Sequence, residues 1–142
     1  MNTHAPIVPI LIPFAAALLQ IAFDRPALQR LVGLSAAALL ILATSWLALL
    51  ADDGQLHVYA IGNWPAPFGI VLVVDRLAAA MTVLTAVLGF ACLLYANAGF
   101  DQRGRHFQPL FQLQLFGVLG AFLTGDLFNL FVFFEVMLLA SY

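Results

Sequence analysis

Apolar positions gather into five runs separated by short polar connections. The first runs from Ile7 to Phe23, the second from about Leu31 to Ala51 and the third from about Leu77 to Asn97. The fourth covers Phe107 to Thr124, and the fifth begins at Leu127. Runs of this length match the roughly 20 apolar residues that a helix needs to cross a hydrocarbon core about 30 Å thick. No Lys or Arg precedes the first run and no small-residue cleavage site follows it, so it reads as a retained spanning helix rather than a removed signal peptide. Pro9 and Pro13 fall in its first turns, where a missing amide donor costs least. The hydroxyls of Ser35, Thr44 and Ser45 in the second run can bond to their own helix backbone and are assigned no chemistry.

The polar connections differ in character. Residues 24–30 carry Asp24, Arg25 and Arg30, and residues 99–106 set Arg103 and Arg105 against Asp101. Residues 52–76 form the one long connection, broken by Gly54, Gly62, Pro65, Pro67 and Gly69. Within it His57–Ile61 and Ile70–Val74 are apolar and β-branched, which predicts two short strands around a turn at Trp64-Pro65. Trp64 and Tyr59 suit a membrane–water interface. Asp75 and Arg76 are expected to form an interfacial ion pair at the start of the third helix. In the fourth run Gly117 and Gly120 share a helix surface, so a neighbouring helix can approach there. Gln112 and Gln114 are expected to face protein, because an unpaired amide in hydrocarbon is costly. Gly125-Asp126 is a tight turn into the fifth segment.

Composition supports the membrane setting. Hydrophobic residues make up 64% and charged residues 8%, against about 25% charged in an average soluble domain, and the mean hydropathy is +1.04. The predicted class is an all-α integral membrane protein of about five transmembrane helices, the fifth truncated, with a hairpin-like loop between the second and third. A net charge of −2 without a basic stripe gives no reason to expect a nucleic-acid partner. The single cysteine, Cys92, excludes an internal disulfide and a multi-cysteine metal site, and is expected to be a small buried hydrophobe. His4, His57 and His106 lie far apart near predicted membrane edges and do not have the pattern of ligands. No nucleophile–base pair, phosphate loop or metal set is present, so no cofactor is expected and a self-contained enzyme is the least favoured class.

One residue carries candidate chemistry. Glu135 is a lone acid flanked by Phe133, Phe134, Val136, Met137, Leu138 and Leu139. In a helix starting at Leu127 it lies roughly 12 Å along the axis, near the middle of the hydrocarbon core. A charged carboxylate at that depth costs on the order of 2.5–3.5 kcal/mol by insertion scales, so it must be neutral, paired or hydrated. Helix geometry puts Phe128, Phe131, Leu138, Leu139 and Tyr142 on or near its face, so a polar partner has to come from another helix or from water. Asp126 is half a turn out of phase and is expected to place favourable charge at the helix N-terminus.

Arginine placement predicts orientation. The first and third connections carry two arginines each, whereas the N-terminus has none and the second connection only Arg76. By the positive-inside rule the arginine-bearing connections face the cytoplasm, with the N-terminus and residues 52–76 outside. Leu127 to Tyr142 is sixteen residues, short of the roughly 20 a spanning helix uses, so the chain is expected to be an N-terminal piece of a longer protein.

The stretches IGNWPAPFGIVLVVDRL (Ile61–Leu77) and FLTGDLFNLFVFFEVMLLASY (Phe122–Tyr142) carry a resemblance. They look like the D subunit of multisubunit Mrp-type monovalent cation/proton antiporters, which are related to the antiporter-like membrane subunits of respiratory complex I. The Phe-Phe-Glu-Val-Met form favours the antiporter subunit over complex I subunits, which tend to have a Trp or Gly-Leu beside the glutamate. The resemblance implies a fold of about fourteen helices built on two inverted repeats. On that template residues 1–106 supply three leading helices and residues 107–142 open the first repeat. It also implies that Glu135 is the family's fifth-helix proton-transfer glutamate, whose seventh-helix lysine partner lies outside this sequence. The implied partners are other antiporter subunits, the lipid bilayer, protons and Na⁺ or K⁺. Two other readings stay open at this point: a proton-pumping subunit of a complex I-like oxidoreductase or membrane hydrogenase, and an assembly subunit whose Glu135 is a structural ion-pair partner.

Overall fold

The computed structural model describes residues 4–23, 25–64, 69–104 and 106–142. Its helices are α1 (Val8–Ala22), α2 (Pro26–Leu50), α3 (Arg76–Ala96), α4 (Phe107–Leu123) and α5 (Leu127–Ser141), with two strands, β1 (His57–Ala60) and β2 (Val71–Val74). Ala5–Ala22, Pro26–Asp53 and Arg76–Ala96 are each long and apolar enough to cross a membrane, with mean hydropathy of 2.1 to 2.3. α4 has 17 residues, the lower end of what spans a bilayer. The all-α membrane architecture and the hairpin both match the sequence reading.

The helices pack as an antiparallel set, with α4 at the centre against α1, α3 and α5, and α2 against α1 and α3. Small residues make close approach possible. A Cβ on Gly89 would stand 2.8 Å from Leu115, and one on Gly117 would stand 3.0 Å from both Met137 and the Phe133 carbonyl. Two apolar clusters fill the interior. One is centred on Leu47, Leu72, Leu123 and Phe133, and the other on Leu40, Ala86, Leu115 and Leu119. Thr44 bonds to its own helix at the Leu40 carbonyl, as expected of a hydroxyl without other chemistry.

The strands pair antiparallel, His57 opposite Val74 and Ala60 opposite Val71. Trp64 is exposed, while Pro65 and the rest of the expected turn lie outside the described residues. The hairpin does more than connect helices. Its Val71 carbonyl accepts from Gly125 N (2.8 Å), and Leu72 bridges to Thr124, so β2 is laced to the α4–α5 turn.

Three expectations require correction. α2 begins at Pro26, five residues early, because proline is favoured at a helix's first position; Gln29 and Arg30 are therefore helical rather than part of a connection. Asp75 and Arg76 do not pair with each other. Asp75 caps α3 by accepting from Ala78 N (2.6 Å), while Arg76 reaches the Asp52 carbonyl. Asp101 pairs with Arg30, 71 positions away; the Arg103 side chain and Arg105 lie outside the described residues. Cys92 is exposed on the outer surface of α3, not buried.

Candidate functional site

α5 is set in place from both ends of its first turns. Asp126 takes its N-cap position and its carboxylate accepts from Phe128 N (2.8 Å), the helix-start role expected for it. Asn129, buried, donates to Thr124 Oγ1 (3.0 Å). One turn on, Phe133 fills the surface left open by Gly120 and meets the Phe116 ring at 5.4 Å. Asn129 and Phe133, four residues apart, thus define the inward face.

Glu135 follows Phe133 by two residues, about 200° round the helix, and is exposed. Phe128, Phe131, Leu138, Leu139 and Tyr142 are exposed on the same side. No hydrogen bond or ion pair joins Glu135 to another side chain among the described residues. The structure therefore brings together the apolar face anticipated from the sequence and sets one carboxyl in it, directed away from α4. Gly117 and Gly120 lie opposite Met137 and Phe133, which puts Glu135 level with the stretch of α4 between those two glycines.

A second polar region was not anticipated. Arg30 donates to both oxygens of Asp101, at 2.6 and 2.8 Å. That bidentate guanidinium holds the Asp101 carboxyl below the usual carboxylate range, opposed by its own burial and helped by Gln108, which donates at 3.3 Å. Gln108 also donates to Asn97 (2.7 Å), Gln20 and Gln29 exchange side-chain-to-backbone bonds (2.9 and 2.8 Å), and Gln112 donates to the Gly33 carbonyl (3.3 Å). The signal for this cluster was present in the sequence as glutamines near the ends of three runs, with Gln108 and Gln112 one turn apart. Gln112 is buried as expected, and Gln114 is half-buried.

At the opposite end, His4 bonds to the Tyr59 hydroxyl (2.9 Å) and His57 to Asp53 (3.1 Å) around a cavity of about 770 Å³. No group of three or more His, Cys, Asp or Glu able to hold a metal ion occurs among the described residues.

No protein-family model matches the chain. It is 47% identical over 146 residues to the D subunit of a probable K⁺/H⁺ antiporter of Rhizobium meliloti, covering 98% of this chain and 27% of that protein. It is 45% identical over 139 residues to the D subunit of an Na⁺/H⁺ antiporter of Alkalihalophilus pseudofirmus, covering 96% and 28%. The N subunit of the NADH-quinone oxidoreductase of Desulforudis audaxviator is 40% identical over 151 residues, covering 100% and 30%. Among solved structures, a chain of the Mrp complex from Dietzia sp. superposes with a TM-score of 0.89 at 32% identity, covering 100% of this chain and 27% of that one. The archaeal membrane-bound sulfane sulfur reductase gives 0.87 at 27% identity, covering 99% and 30%. This chain thus spans less than a third of the length of these relatives, matching the N-terminal part of the antiporter subunits. With D-subunit sequences matched at this identity along nearly its whole length and an Mrp structure matching its fold, the chain belongs to the D-subunit family of multisubunit cation/proton antiporters.

Proposed function

We propose that this chain forms part of a membrane subunit that exchanges protons for Na⁺ or K⁺ together with other antiporter subunits, and that Glu135 is the group that carries the proton. The observation that carries the reading is a single carboxyl on the apolar, exposed face of α5, about 12 Å from the start of the helix and without a partner among the described residues. Desolvation disfavours the ionised form of a carboxyl, and a cation brought close favours it, each by up to several pKa units. A group held between these influences loads a proton when its partner is distant and releases it when the partner approaches. Residues outside those described supply that partner, a lysine on a later helix by the family pattern. In this arrangement the face around Glu135 is covered by further protein, residues 107–142 open the first repeat, lipid surrounds the bundle, and the N-terminus faces the outside of a bacterial inner membrane.

The test is Glu135→Gln in the assembled antiporter. Exchange is expected to be lost while the subunit remains inserted and assembled; undiminished exchange removes Glu135 from the mechanism. The identity to an NADH-quinone oxidoreductase subunit supports a second reading, a redox-driven proton pump that uses the same glutamate. Cation/proton exchange by purified complex in the absence of quinone or NADH selects the antiporter, and electron transfer coupled to proton uptake selects the pump.

A further inference from the structure

Three glutamines meet over the backbone of Gly33. The point where a Cβ would sit on that glycine is 2.8 Å from Gln108 Oε1, 3.0 Å from Gln20 Nε2 and 3.6 Å from Gln112 Nε2. The orientations of the first two amides are fixed by their donors, since Gln20 Nε2 points to the Gln29 carbonyl and Gln108 Nε2 to Asn97 and Asp101. Their oxygens are consequently directed elsewhere, and both Gln20 Oε1 and Gln108 Oε1 are fully buried with no hydrogen-bond donor among the described residues. Gln20 is 1% exposed and Gln108 4%. Two buried acceptors left unpaired in a low-dielectric bundle demand a donor.

A cavity adjoins the cluster at Gln108. Gln29, Arg30, Asp101 and Gln108 line a cavity of about 250 Å³ at this end of the bundle, room for roughly eight waters at about 30 Å³ each. Gln108 belongs to both places, lining the cavity with its side chain and presenting its oxygen at Gly33. About two to three turns further along α4 lies the apolar layer of Leu40, Ala86, Leu115 and Leu119.

We propose that the Gln20–Gly33–Gln108 cluster is a water-binding site, the blind inner end of a hydrated pocket that opens at the face carrying Arg25 and Arg30. Water held there donates to the orphan amide oxygens of Gln20 and Gln108. A cation is disfavoured there, because the Arg30 guanidinium stands on the Asp101 carboxylate that Gln108 touches. The cavity itself reaches the level of Gln108, well short of Glu135 along the axis. This inference needs only that the bundle spans a membrane and is independent of the role of Glu135.

The test uses the full-length protein in native membranes, with Cys92→Ser in place and every other native cysteine of that protein replaced. Gln108→Cys and Leu119→Cys are exposed to a small charged methanethiosulfonate from either side. Gln108→Cys is expected to react from one side only, at least about tenfold faster than Leu119→Cys, since thiol modification requires access. Labelling of Gln108→Cys as slow as that of Leu119→Cys overturns the pocket. The wild-type protein provides a check free of folding effects. An experimental map should show water within hydrogen-bond distance of each orphan oxygen; amide oxygens bonded directly to protein donors refute the site.

Discussion

Replacing Gly120 with alanine tests how α5 is seated. A Cβ at that position would come within 3.0 Å of three ring carbons of Phe133, a separation real Cβ atoms do not show. The ring has little freedom to yield, being 8% exposed and in edge contact with Phe116. Driving Phe133 off its rotamer costs about 0.5–1.5 kcal/mol, and overpacking a filled core costs about 1–3 kcal/mol. Against this stands the gain in helix propensity, about 0.8–1 kcal/mol for alanine over glycine. The overpacking cost already includes the rotamer strain, so the net expectation is a loss of up to about 2 kcal/mol. In a Phe133→Ala background the ring is gone, only the propensity gain remains, and Gly120→Ala should change sign and stabilise. Thermal unfolding of the four proteins in mild detergent, followed by loss of the monodisperse peak, gives the double-mutant cycle. Equal effects of Gly120→Ala in the two backgrounds would refute the contact.

Three other perturbations follow from the same geometry. Arg30→Met should lower thermal stability at neutral pH, and the deficit should persist through mildly acidic pH. Asp101 titrates below its ordinary range because of Arg30, so the stabilisation is present above the unfolded pKa and is lost only as pH falls through the lower native one; a deficit that disappears near pH 6 would contradict the pairing. Asp126→Ala removes the α5 cap and should cost about 0.5–2 kcal/mol, whereas Asp126→Asn, which keeps an acceptor, should cost less; equal losses would point to charge rather than capping. Glu135→Asp should retain part of the exchange with a shifted pH profile, and a well-assembled but inactive Asp variant would show that carboxyl reach outweighs acidity.

The helices were legible because a hydrocarbon environment imposes one requirement, satisfied backbone within long apolar runs, and the sequence meets it almost without interruption. The hairpin was legible for a similarly local reason, two β-branched stretches bounded by glycine and proline. Long-range pairings were not. Arg30 and Asp101 are 71 positions apart, and no local pattern joins two charges so far apart in the chain. The glutamine cluster was hidden in the same way, since its members come from α1, α2 and α4. Gly117 and Gly120 announced a close approach, but not that Phe133 would fill it and thereby turn Glu135 outward. Glu135 itself stood out because a carboxyl in an apolar run is costly to insert and so draws notice in the sequence alone.

The central claim is that Glu135 gains and loses a proton as the cation moves. Infrared difference spectra of the reconstituted antiporter, with and without the transported cation, read carboxyl protonation directly. The account predicts a protonated-carboxyl band that changes on cation addition and is missing from the Glu135→Gln protein. The same band, unchanged in the variant, would assign the proton to another group and contradict it.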